Sequence, residues 1–158
     1  MIDADTFRSV LGRFASGVTI VTVRDARGGD LGMTVSAFSS ASLEPPLVLM
    51  CVDHAATMHP VLLGHPEIGV SMLSEAQEAS SRRFADESET QRFDGLAYIR
   101  GESGVVLLEG ALAHMEAQII QHHDAGDHTV FIAAVKHAQP LAGRPLLYYR
   151  GGYAQMER

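Results

Sequence analysis

Runs rich in β-branched and apolar residues recur along the chain at Val18–Val23, Leu31–Ala37, Leu47–Val52, Ile68–Leu73, Val105–Glu116, Thr129–Val135 and Leu146–Tyr149. Branched side chains suit a pleated surface, and Gly-, Pro- and Asp-bearing turns separate the runs, so each reads as a strand. Asp25–Asp30 supplies a turn that makes the first two a hairpin. Few helical stretches intervene and no strand–helix alternation repeats. The chain is therefore predicted to be mainly β with short helices, an antiparallel Greek-key barrel in preference to a doubly wound sheet.

The helices have their own signals. Phe7, Val10, Leu11 and Phe14 follow the i, i+3, i+4, i+7 spacing of an amphipathic helix, with Asp3 or Asp5 as a cap. A short helix is predicted near Thr57–Leu63, ended by His65-Pro66 because proline biases its predecessor away from α geometry. Ser74 and Gln77 form a capping-box pattern that opens a helix toward Phe84, and Asp86–Glu89 reads as a solvated acidic loop.

A length of 158 residues fits one domain spanning the whole chain. The net charge of −7, with Lys136 the sole lysine, opposes a nucleic-acid or anionic-membrane footprint. No run reaches the ~18 apolar residues of a membrane span, and the polar start lacks a secretory pattern, so the cytoplasm is expected. Cys51 is the lone cysteine, which forbids an internal disulfide, and within Val48–Val52 it reads as a small buried hydrophobe. Neither G-x-G-x-x-G nor a P-loop occurs, so a nicotinamide cofactor would bind without a Rossmann unit.

Two segments carry chemistry. Gly32–Ser40, closed by Ser42–Leu49, places Thr34, Ser36, Ser39 and Ser40 between apolar runs. Uncharged hydroxyls and free amides there suit a ligand's phosphate or heterocyclic carbonyls; equally, the hydroxyls satisfy their own backbone in a strand-to-turn connection. His122–His128 is dense in imidazoles and carboxylates, a composition open to metal binding, although it lacks an i, i+4 helical pair and reads as a turn entering a strand.

The order of Phe7–Thr22, Thr34–Leu49, Cys51-Val52-Asp53, Val70–Gln77, Arg83-Phe84-Ala85, Gly126-Asp127-His128 and Pro145–Tyr153 resembles the flavin reductase family of the FMN-binding split barrel. These are the reductase components of two-component flavin monooxygenases. The resemblance implies an NAD(P)H-dependent reductase that transfers hydride to FMN or FAD and supplies reduced flavin to a separate monooxygenase. It implies that Met33, Thr34, Val35, Ser36 and Ala37 run along the isoalloxazine, that Ser39 and Ser40 approach the phosphate, and that Val52, Asp53, Ala56 and Thr57 flank the flavin. Arg83, Phe84 and Ala85 would close over the phosphate, Arg83 as a two-pronged partner. His128 would contact the nicotinamide of NADH or NADPH, its tautomer set by Asp127, with Arg150 and Tyr153 as further substrate contacts. A homodimer is implied, and no metal. At Ser71 the family commonly has Asn, a departure bearing on flavin affinity. The competing readings are a flavin-binding or electron-transfer protein without turnover, and a metal-binding module centred on His122, His123 and His128.

Overall fold

The computed structural model describes residues 1–157. In chain order the first half holds α1 (Ala4–Leu11), β1 (Ser16–Gly17), β2 (Thr19–Arg24), β3 (Asp30–Val35), β4 (Phe38–Ser42), β5 (Leu47–Asp53), α2 (His59–Leu62) and β6 (Glu67–Met72). A 3-10 turn at Glu75–Gln77 leads into α3 (Glu78–Ala85), followed by β7 (Tyr98–Arg100), β8 (Val106–Leu108), β9 (Ala113–Ala125), β10 (His128–Pro140), β11 (Leu146–Tyr149) and β12 (Gly152–Gln155).

One sheet runs β3-β2-β6-β9-β10-β5-β4. Its two edge strands, β3 and β4, are consecutive in the chain and joined only through Ser36 and Ala37. The sheet must therefore curl until its edges approach, which makes it a split antiparallel barrel. Alternation fills the inside: Val48, Met50 and Val52 of β5 are buried, and they meet Val21, Val70, Ile119 and Phe131 in one core. Each large side chain so buried contributes about 1.5–3 kcal/mol. A second cluster, with Ile20, Leu73, Phe84, Leu108 and Leu146, joins α3, β8 and β11 to the barrel's outer wall.

Several expectations are corrected. Val105–Glu116 is not one strand: Gly110, at φ 83, breaks it between β8 and β9. His122, His123 and Asp124 lie in β9, and His128 opens β10, so Gly126 (φ 66) and Asp127 alone make the turn. Ser39 and Ser40 belong to β4, and Cys51 is half-buried on the outer face of β5 instead of in the core. Helix α1 starts at its Asp3 cap, whose carboxylate accepts from the Thr6 amide at 2.8 Å, and stops at Leu11. Its apolar stripe buries nothing: Phe7, Val10, Leu11 and Phe14 are 54%, 58%, 50% and 81% exposed. The Ser74–Gln77 capping box is present and leads into α3 as predicted.

Candidate active site

Strand β3 forms one wall of a groove. As an edge strand it offers backbone N–H and C=O groups that no neighbouring strand pairs. Leu31, Met33 and Val35 turn into the barrel core, which leaves Gly32 and Thr34 beneath α3. A Cβ at Gly32 would stand 2.7 Å from Cε1 of Phe84, so a side chain there would hold the helix off the strand. Thr34 Oγ1 donates to the Ser81 carbonyl at 2.6 Å, Ser81 Oγ and Tyr153 OH are 2.7 Å apart, and Arg82 lies over the Tyr153 ring at 4.7 Å. These contacts clamp α3 along β3. The chain beyond α3 then folds back to enclose a groove of about 350 Å³ with Gly32, Thr57, Met58, Glu87, Arg92 and Phe93 among its walls.

The turn after β5 closes one side. Asp53 Oδ1 accepts from the Ala55 amide at 2.8 Å, Ala56 is buried, and Thr57 Oγ1 donates to Glu87 at 2.7 Å across the groove. The same end of β5 carries His128, which sits opposite Asp53 in the β5–β10 register, while the His54 amide donates to the Asp127 carbonyl at 3.0 Å. His128 Nδ1 is 2.7 Å from Asp127 Oδ1, and this hydrogen bond, followed by the histidine's charge, holds the Asp127 carboxyl below its ordinary range. An ionised carboxylate only accepts, so Nδ1 carries the proton and a neutral His128 keeps its lone pair on Nε2.

Behind this edge lies a network that the sequence did not suggest. Thr129 Oγ1, fully buried, is 3.1 Å from His54 Nε2, 2.8 Å from His59 Nε2 and 3.0 Å from Asp124 Oδ1. Its single proton goes to the carboxylate, so both imidazoles donate from Nε2. Burial, and then the neighbouring His54, push His59 below its usual value of 6.5. These four residues come from two distant stretches of the chain, His54 with His59 and Asp124 with Thr129.

The remaining predicted residues take varied positions. Val35, Val52 and Phe84 are 3%, 1% and 1% exposed, so their side chains pack the core and offer a ligand only the neighbouring backbone. Arg83 donates to the carbonyls of Asp94, at 2.9 Å, and Gln91, so its guanidinium holds the chain after α3. Arg92, which no pattern marked, takes the groove position instead. Ser39 Oγ donates to the Ser40 carbonyl at 3.0 Å, the local satisfaction foreseen as one alternative; Ser40 is exposed on the β4 edge. Ser36 is half-buried in the β3–β4 link, the exposed Ala37 accepts from the Cys51 amide at 3.0 Å, and Ala85 is exposed at the end of α3. Arg150, at φ 53, donates its amide to the Gly12 carbonyl at 2.8 Å beside α1. Ser71 is buried and accepts from the Leu108 amide at 2.9 Å, so its hydroxyl supports β8. His122 and His123 are strand neighbours and face opposite ways. His122 Nδ1 meets His65 Nε2 at 2.7 Å, and among the described residues no three His, Cys, Asp or Glu side chains converge as metal ligands.

The groove fits a flavin on its own terms. The β3 edge, whose Gly32 carbonyl is already taken by Arg92, would offer its remaining main-chain N–H and C=O groups to the polar edge of such a ring. Arg92 is the cation among the described residues that line the groove, and its guanidinium would be the group to meet a phosphate there.

A split barrel with such a groove defines a class of small flavin-binding domains. Residues 11–157 match the family model of the flavin reductase like domain, and the chain belongs to that family. It is 42% identical over 156 residues to an NADH-dependent FAD reductase of Streptomyces globisporus, covering 95% of this chain and 84% of the relative. It is 37% identical over 160 residues to the flavin-dependent monooxygenase reductase subunit HsaB of Mycobacterium tuberculosis, covering 99% and 84%. The solved structure of the Streptomyces globisporus NADH:FAD oxidoreductase SgcE6 in complex with NAD and FAD fragments superposes with a TM-score of 0.91 at 38% identity, over 99% of this chain and 96% of that one.

Proposed function

We propose that this protein is an NADH-dependent flavin reductase that hands reduced flavin to a separate flavin-dependent monooxygenase. The observation that carries the reading is the juxtaposition, at the end of β5 from which the chain turns toward Thr57, of Asp53 and the oriented His128 in a chain of this family. Bound flavin, FMN or FAD, supplies the two-electron acceptor that side chains lack. The chain's own contribution is position. The β3 backbone holds the ring's polar edge, and the α3 clamp keeps that wall rigid. His128 Nε2, with its lone pair outward, accepts from the carboxamide N–H of the nicotinamide and fixes the donor carbon over the ring. Asp127 keeps that tautomer in place. Tyr153 acts through Ser81 and α3, and the placement of Arg150 beside α1 sets it apart from the groove.

A homodimer is part of the same proposal. The uncovered face of α1, with Phe7, Val10 and Leu11, continues into the exposed Phe14 just beyond the helix, an apolar stripe that a second copy buries. Among the described residues no helix is long and apolar enough to cross a membrane. A cytoplasmic site of action is a separate part of the proposal. Anaerobic mixing of the protein with FMN or FAD and NADH or NADPH tests the activity. Bleaching of flavin absorbance with NADH is expected; flavin held tightly with neither nucleotide oxidised would make this a flavin-binding protein without turnover.

A further inference from the structure

Three carboxylates line the groove, and while Asp30 is paired with Arg100, Glu87 is engaged inside the groove itself. Glu87 Oε2 accepts from Thr57 Oγ1 at 2.7 Å and lies 3.7 Å from Nη2 of Arg92. Arg92 is the only cation lining the groove among the described residues. Its Nη1 and Nη2 donate to the carbonyls of Gly32 and Asp86, each at 2.6 Å, so the guanidinium is locked in place while each of these nitrogens keeps a second N–H. A hydroxyl and a fixed guanidinium facing one space form an oxyanion receptor, and a carboxylate and a phosphate monoester both satisfy it. The Glu87 side chain is half exposed and sits in the loop that follows α3, so it can leave without disturbing the core.

We propose that Glu87 is a tethered stand-in for the flavin's phosphate: it engages Thr57 and Arg92 in the free protein and is displaced when a phosphorylated flavin binds. This rests on the flavin reductase reading of the groove and adds a function for the acidic loop. A built-in competitor raises the apparent Kd by the inverse of the fraction of time it is away, so a contact made nine-tenths of the time weakens binding about tenfold. It does so only for ligands that carry the phosphate. It also favours release, which suits a protein that gives its flavin away.

The test compares FMN with riboflavin, which lacks the phosphate, by quenching of flavin fluorescence on the oxidised protein. Glu87→Ala is expected to tighten FMN about tenfold and leave riboflavin unchanged. Glu89→Gln removes the same charge from the same groove wall without touching Thr57, and is expected to shift FMN less than twofold. Thr57→Val in the Glu87→Ala background should take back most of the gain. Equal tightening by Glu87→Ala and Glu89→Gln would overturn the proposal in favour of a general field effect, and so would equal tightening of riboflavin and FMN. Flavins that bind and are reduced by NADH, with FMN indifferent to Glu87, would overturn the stand-in alone; no binding of either flavin would overturn the reductase reading with it.

Discussion

Placing a methyl group on Gly32 tests whether the groove wall depends on close contact between β3 and α3. In Gly32→Ala the new Cβ would stand 2.7 Å from Phe84 Cε1, 3.0 Å from Cδ1 and 3.1 Å from Phe93 Cζ. Relaxed carbon contacts are ~3.5–4.0 Å, so the ring or the helix must move by about 1 Å. Phe84 is 1% exposed and packs edge-on against Phe93 with centroids 5.1 Å apart, so its ring has no free direction. The helix lifts instead. Overpacking of this kind costs about 1–3 kcal/mol, which for a chain of this size lowers Tm by roughly 2–12 °C. A lifted α3 also lengthens the Thr34–Ser81 bond and moves the Gly32 carbonyl from Arg92, so FMN affinity falls together with stability. Urea unfolding followed by circular dichroism gives the first quantity and flavin fluorescence the second. In a cycle with Phe84→Leu, which removes the atoms that clash, the double variant should be at least about 1 kcal/mol more stable than the sum of the singles. A Gly32→Ala protein within about 0.5 kcal/mol of the parent, or an additive cycle, would refute the close-contact argument.

Other predictions follow from the same geometry. His128→Ala should slow flavin reduction by about 10- to 100-fold while leaving FMN affinity within twofold, measured by anaerobic stopped flow and titration; the reverse pattern would move His128 from the nicotinamide to the flavin. His59 is held below its ordinary 6.5, so above that pH it is neutral folded and unfolded, while below it the unfolded chain takes up a proton that the folded one refuses. Stability should therefore fall as pH drops below that value, by at most about 1.4 kcal/mol per pH unit from this group, and His59→Gln should flatten the slope in urea midpoints. Burial works to raise Glu116, but the Ser103 hydroxyl and the amides of Ser103 and Glu102 prevail and lower it. Glu116→Gln should cost about 1–3 kcal/mol near neutral pH, a deficit that shrinks as pH falls through the carboxylate range, with FMN binding unaltered. Leu11→Asp should convert a dimer to a monomer by light scattering, and a parent that is already monomeric would end the dimer proposal.

The strands were legible because their signal is local. β2, β3, β5, β6 and β11 each carry a dense branched or apolar run, and the Ser74–Gln77 box announced its helix through four residues. What failed was boundary and direction. The β9–β10 hairpin extends through His122–Asp124 because pairing continues from Gln121 opposite Ile132 to Ala125 opposite His128, a cooperative effect no polar tripeptide reveals. The apolar spacing of α1 was read correctly as amphipathic, yet periodicity says only that a face is apolar, not which surface covers it.

Several of the donors that the sequence marks are engaged within the fold, for a physical reason. The sequence drew attention to hydroxyls, but a hydroxyl near a folded wall must be satisfied before any ligand arrives: Thr34 bonds Ser81, Ser39 bonds its neighbour, Thr57 bonds Glu87. The groups left over are edge backbone, which every residue type possesses, and Arg92, whose role depends on Gly32 and Asp86 lying 60 and 6 residues away. A pocket built from main chain writes little into side-chain identity except where the backbone must come close, as at Gly32. Glu87, the proposed competitor, reads in the sequence as part of a solvated acidic loop because its partners, Thr57 and Arg92, come from outside that loop.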